Sequence, residues 1–494
     1  MFKKTIFRLS VIFYTLLISI YVYWLFNTPN LNIAGLAASA VSVLVFGIAG
    51  ADCLRSVFLS FSGEPEVDVT QGLGARTLRP GNMHPVLKMF LALLLSRIIV
   101  YILAYALSIV ANGYEGALLD TLWIWNKGDA PHYLGIAQNW YVTQGDPRFH
   151  IVFMPFYPLL VNAFNRAVGN IFVSGMALSL LFTVISGLAL YELALLDMDR
   201  ISARRAVKFQ MLLPAAFLLS APMSDALFLM LSILCLLAAR KKQYLLACLV
   251  GGLAAFTRIL GVILIVPVFV EILGDMRRIQ KESGKKAKGL VSPFLALLLI
   301  PAGLGAYLFV NLSVTGNAFQ FLTYQKEHWG QQTGWFFNTA NYQTNMFLSR
   351  FVSDPPEAFG LWLPNLICLI LTPVLMLAAQ RVKPPAPLPE SEDEQLNAFN
   401  FQHVYRGQAI LSRLKRQPYP IRASYMAYFL AYYAVSMGAT WLLSAPRYLM
   451  CCFPVSIALA SCLRNRRVVT VAYVVLFLLQ MAYMYCYVAG WPVY

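Results

Sequence analysis

Charge is scarce in this chain. Only 12% of its 494 residues are Asp, Glu, Lys or Arg, 59% are hydrophobic, and the mean hydropathy is +0.65. Soluble domains carry about twice that share of charge, so composition excludes an ordinary soluble enzyme. Histidine is scarcer still at five residues, and neither an HExxH nor a CxxC pattern occurs. A protein-built metal site is therefore not expected. A divalent cation stays open as a cofactor, with no ligand cluster in the sequence to hold one. The eight cysteines (Cys53, Cys235, Cys248, Cys368, Cys451, Cys452, Cys462, Cys486) all lie within or at the ends of apolar runs, which argues against a disulfide framework.

What the chain has in abundance is apolar runs long enough to span a bilayer, for which about 20 residues suffice. They read as thirteen spans, near 9–26, 33–52, 89–111, 170–195, 208–221, 223–239, 243–257, 260–274, 290–312, 357–380, 422–443, 448–463 and 468–489. The first lacks a small-residue cleavage site and reads as a retained helix. The expected fold is an all-α polytopic membrane domain without a separate soluble unit. With the N-terminus inside, most of the Lys and Arg fall in inner segments. The positive-inside rule then accounts for the net charge of +16, and no nucleic-acid partner is needed. Inner segments 53–87, 275–289 and 381–420 are polar or Gly-rich, and the latter two read as linkers.

Two outer segments stand apart, 112–169 and 313–356. The first holds WNKGDAPHYLGIAQNWYVTQGDPRFHIVFMPFYP (125–158), a polar interruption that places Asp129 and His132 three residues apart before a double-proline aromatic turn. The second is aromatic, with Trp329 and Trp335 among its rings; an interfacial belt and a sugar- or lipid-binding platform both fit. Three further outer connections, APMSD (221–225), TRIL (257–260) and SAPRY (444–448), are so short that Asp225, Arg258 and Arg447 must sit at the outer rim. Topology thus brings Asp129, Asp225, Arg258 and Arg447 to one side. Arg97 lies deeper in its run, and Glu192 is its expected structural partner, since a charge in hydrocarbon is costly unless paired.

An acid, several guanidinium groups and aromatic rings at a membrane surface suit transfer from a phosphorylated lipid. Arginine grips phosphate oxygens bidentately and stabilises the leaving group. The attacking hydroxyl needs a base, which a partly desolvated carboxylate supplies, and attack opposite the phosphate inverts the anomeric centre. Asp129 is the candidate base; its bland alternative is an acid at a helix N-terminus, which DAP invites. His132, one turn on, either orients Asp129, touches phosphate or simply packs. Arg258, Arg447 and Lys127 are candidates for phosphate, and Ser224, Asp225, Tyr133, Tyr157, Trp329 and Trp335 for the remaining substrate contacts. Phe153, Pro155, Phe156, Tyr157 and Pro158 also shape the return of the loop toward the membrane.

GDAPHYLGIAQNWY (128–141) followed by FMPFYPLL (153–160) resembles the WDxxHFxxIAxxGY…AFFPxxP signature of the GPI mannosyltransferase II (PIG-V) family. In order along the chain, Ser96-Arg97, PMSDALFLMLSI (222–233), AAFTRILGV (254–262) and LSAPRYLMCCFP (443–454) resemble later segments of that family. Gly128 stands where the family has tryptophan, Asp225 where it has glutamate, and Ile259-Leu260 where it has Ser-Asn. The resemblance implies a GT-C membrane glycosyltransferase using a polyprenyl-phosphate sugar, mannose above other hexoses, with Asp129 as the carboxylate of the first outer loop. A lipid-linked or glycan acceptor on the extracytoplasmic face of a bacterial membrane is the expected setting. The rival reading is a polyprenyl-lipid or small-molecule transporter; against it, the sequence shows no repeat, and its charges sit at the rim and not the midplane.

Overall fold

A computed structural model describes residues 2–28, 31–62, 85–113, 117, 120, 122–283, 291–382, 421–439, 443–463 and 465–491. Most of the inner segments 53–87 and 381–420, and the end of 275–289, lie outside the described residues. Those described are helical throughout, apart from turns and one isolated bridge, Thr333 to Ala439. The chain is therefore an all-α, multi-pass membrane protein.

In chain order the helices are α1 (Phe2–Asn27), α2 (Ile33–Ser62), α3 (Pro85–Asn112), α4 (Ala130–Asn139), α5 (Phe156–Val168) and α6 (Ile171–Leu195). Next come α7 (Arg200–Leu212), α8 (Asp225–Arg240), α9 (Tyr244–Thr257), α10 (Ile265–Ser283), α11 (Leu299–Thr315) and α12 (Gln320–Trp329). The rest are α13 (Phe336–Ser353), α14 (Leu363–Gln380), α15 (Ala423–Ser436), α16 (Ala445–Met450), α17 (Pro454–Cys462) and α18 (Arg466–Ala489).

Among the described residues eight helices are long and apolar enough to cross a bilayer, not thirteen. They are Thr5–Asn27, Ile33–Phe58, Val86–Asn112, Ile171–Leu195, Ile259–Arg277, Ser292–Thr315, Pro355–Gln380 and Arg466–Ala489. A ninth crossing arises only if the pair Asp146–Val152 and Phe156–Val168, bent by 111°, counts as one. The runs 208–221, 223–239, 243–257, 422–443 and 448–463 form shorter helices, most of them walled in by protein. Helix α8 has 16 residues, about 22 Å of rise, against about 30 Å of hydrocarbon. It is buried almost throughout, so its ends are satisfied by protein groups and need not reach the headgroups. Large apolar side chains instead stay exposed along α1, α3 and α18, as lipid-facing helices require.

The clearest break follows α7, where Pro214 interrupts the run before a 3-10 turn at Ala216–Ser220. Freed carbonyls deep in the protein need donors. Gln480 donates to Met211 O and Leu213 O, both at 3.1 Å. Thr183 donates to Leu219 O (2.9 Å) and Tyr101 to Ser220 O (3.0 Å). Arg97 donates to Ala216 O (3.0 Å) and Met211 O (3.4 Å). This corrects the expected Arg97–Glu192 pair: Arg97 is spent on carbonyls, and Glu192 points away as an exposed side chain. Close helix contact is the other organising device. A Cβ on Gly303 of α11 would lie 1.9 Å from Gly252 O of α9, so these backbones touch only because both positions are glycine.

Candidate functional site

The loop ahead of α4 is pinned before it reaches Asp129. Trp125 is buried edge-on to Tyr101 at 5.5 Å and near Tyr487 at 6.0 Å. Lys127 then donates to Val488 O (3.2 Å) and Tyr487 O (3.5 Å). Lys127 is thus placed at the carbonyl end of α18, where helix polarity favours a cation. Gly128 follows at φ +61°, in the left-handed region that a bulky residue resists. Pro131 opens α4, yet the Asp129 carboxylate makes no capping bond to it.

The carboxylate goes to arginine. Asp129 Oδ2 lies 2.7 Å from Arg447 Nη1. The other nitrogens of Arg447 donate to Asp225, Nη2 to Oδ2 at 2.7 Å and Nε to both oxygens at 3.1 Å. Asp225, with no exposed surface, also meets Arg258 Nη2 at 3.0 Å through Oδ1. Arg258 Nε donates to Ser224 Oγ (2.9 Å), and Ser224 shares a hydrogen bond of 2.7 Å with the Tyr133 hydroxyl. Tyr133 N returns to Asp129 O at 3.1 Å, closing the ring through the first turn of α4.

Local structure explains each placement. Ser224 and Asp225 begin α8 after Pro222. Arg258 is a single extended residue, φ −150° and ψ 142°, between α9 and a 3-10 turn, which throws its side chain sideways. Arg447 lies on α16, whose Ala445 N–H donates to Asn365 Oδ1 at 2.8 Å. Two acids and two arginines compensate one another, as buried charges must. Two valences stay open. Among the described residues Asp129 Oδ1 makes no hydrogen bond, its side chain being 31% exposed, and Arg258 Nη1 is buried without an acceptor.

The three residues expected from short turns thus join Asp129 in one line of contacts, with Ser224 and Tyr133. Each nitrogen of Arg447 already meets a carboxylate, whereas Arg258 Nη1 has no acceptor among the described residues. His132 stacks on Phe153 (4.8 Å) and meets His150 (4.8 Å) and Trp329 (6.3 Å) edge-on, so it belongs to an aromatic wall beside Asp129. Burial holds its imidazole below the ordinary histidine value; Asp129 opposes this and His328 adds to it. Tyr157 is fully buried with its hydroxyl on Gly175 O and Ser179 Oγ, both at 3.0 Å, and has no surface to offer a substrate. Trp335 stacks on Phe337, which packs against Tyr21 and Trp24 of α1, and is not brought to the ring. Cys451 was missed by the sequence reading: its Sγ lies 3.6 Å from Asp225 Oδ1. Its position four residues after Arg447 is the signal that could have found it.

No family model, curated protein or solved structure matches this chain.

Proposed function

We propose that the chain is an inverting membrane glycosyltransferase that moves a hexose from a polyprenyl-phosphate donor to a hydroxyl of a lipid-linked or glycan acceptor. The observation that supports this reading is that, among the described residues, Asp129 Oδ1 carries no hydrogen bond and Arg258 Nη1 has no acceptor. A ligand that complements both must present a hydroxyl and an anion. A phosphate-linked sugar meeting an acceptor alcohol does so.

Asp129 Oδ1 takes the acceptor proton as the acceptor oxygen attacks the anomeric carbon. The bond from that carbon to the phosphate oxygen breaks, and the electron pair leaves on the lipid monophosphate, which accepts from Arg258 Nη1. Arg447 holds Asp129 in place and shares the charge of Asp225, acting as a positioning residue. Mannose as the sugar rests on the resemblance of 128–141 and 153–160. An extracytoplasmic site rests on the clustering of Arg and Lys at the opposite end of the bundle.

The test uses purified protein in vesicles with a radiolabelled polyprenyl-phosphate mannose and extracted membrane glycolipids as acceptors. Asp129→Asn is expected to lower transfer at least 100-fold with donor binding retained. Near-normal transfer by Asp129→Asn sinks the assignment, and labelled lipid that crosses the bilayer without gaining or losing sugar favours transport instead.

A further inference from the structure

At the far end of α4 from Asp129 an open cleft of about 310 Å³ is lined by Ile136, Ala137, Gln138, Asn139, Trp140, Pro158, Leu159 and Asn162. Trp140 has φ 61° and ψ −163°. This conformation belongs almost wholly to glycine, and a bulky residue persists there only when its surroundings hold it. They do. Tyr141 donates to Phe153 O on one side, and Asn162 Nδ2 donates to Ala137 O at 2.7 Å on the other. A glycine would fit the backbone without strain, so the indole is kept for what its ring does. Part of that ring packs on Tyr141, with centroids 4.9 Å apart, and 40% of the residue stays exposed to the cleft side. Beside it the side-chain amides of Gln138 and Asn139 are exposed and make no hydrogen bond among the described residues.

We infer that this cleft is a saccharide subsite that receives a remote sugar of the acceptor. An indole offers an apolar face to the C–H side of a pyranose ring, and free amides both donate to and accept from its hydroxyls. The helical rise from Asp129 to Trp140 is roughly 16 Å. The sugar held here is therefore not the one that reacts, and the acceptor is an oligosaccharide or glycolipid long enough to lie along α4. The acceptor role rests on the transferase reading above; saccharide binding does not.

Saturation-transfer NMR on the detergent-purified full chain separates the two. The probes are methyl α-mannoside, α-linked mannobiose and maltose, with sucrose as control. The expected result is saturation of at least one α-linked probe by wild type and by Asp129→Asn, lost in Trp140→Gly and in the Gln138→Ala/Asn139→Ala double variant. Trp140→Gly is also expected to raise the melting temperature, since it relieves the backbone. The inference is overturned if wild type saturates none of the α-linked probes at millimolar concentration. It is overturned equally if both variants, monodisperse by size exclusion, saturate them as wild type does. Binding by a wild type that transfers no sugar keeps the subsite and removes the transferase.

Discussion

Helix α8 carries a charge network at each of its ends, and the two differ in one respect. At its C-terminus Arg240 grips Asp197 with Nη1 at 2.7 Å and Nη2 at 2.8 Å, and faces Glu271 at 3.8 Å. Arg422 faces the same two acids at 3.4 and 3.5 Å. Tyr425 donates to Asp197, and Ser424 to Glu271. Each guanidinium meets both carboxylates, a closed square that holds α6, α8, α10 and α15 together. At the N-terminus the same number of acids and arginines forms a chain, with an exposed acid at one end and a partnerless guanidinium nitrogen at the other. Equal charge is thus arranged differently at the two ends: cross-contacts between both arginines and both acids close the inner group, while the outer carboxylates and guanidiniums follow one another in a line.

The largest effect expected is from Asp225→Asn. It leaves Arg258 without a carboxylate and Arg447 with Asp129 alone, and breaking a buried ion pair costs about 3–5 kcal/mol. Thermal unfolding in detergent should show this, with Asp129→Asn, at the wet rim, costing about 1 kcal/mol or less. Equal losses for the two variants erase the distinction between an internal acid and a working one. Asp197→Asn should destabilise nearly as much as Asp225→Asn while leaving transfer per folded molecule unchanged. A hundredfold fall in that specific activity would show that the square takes part in chemistry.

A smaller effect concerns pH. His132 binds its proton less readily in the folded chain than in the unfolded one, so acid favours unfolding. Its stabilising contribution is full above about pH 6.5 and is lost as the pH falls through the range below. His132→Phe should flatten that slope in melting curves taken from pH 7.5 to 5, and an unchanged slope assigns it to other groups. Smallest is Lys127→Gln, expected to cost roughly 0.3–1 kcal/mol as a helix-end interaction with donor KM unaltered. A tenfold rise in donor KM would return Lys127 to the phosphate.

The outer chain was legible in the sequence because three very short connections each held a charge, and a short connection leaves its residue nowhere else to go. The inner square was not. Asp197, Glu271 and Arg422 lie at the edges of apolar runs, where they read as solvated loop charges. The thirteen runs exceed the eight described helices long enough to cross a bilayer for a related reason. Hydropathy records that α8 and α15 avoid water and is silent on whether lipid or protein surrounds them. Arg97 defeated pairing logic because its partners are carbonyls, exposed by a proline break that composition does not flag.

Being bolted at both tips has a mechanical consequence for α8. A slide by one turn, 5.4 Å, or a twist about its axis would tear charges apart at top and bottom together. The rod is a post fixed at both tips. The segment bearing Asp129 leans on the same post at its outer tip, through Arg447 and through the bond between Tyr133 and Ser224.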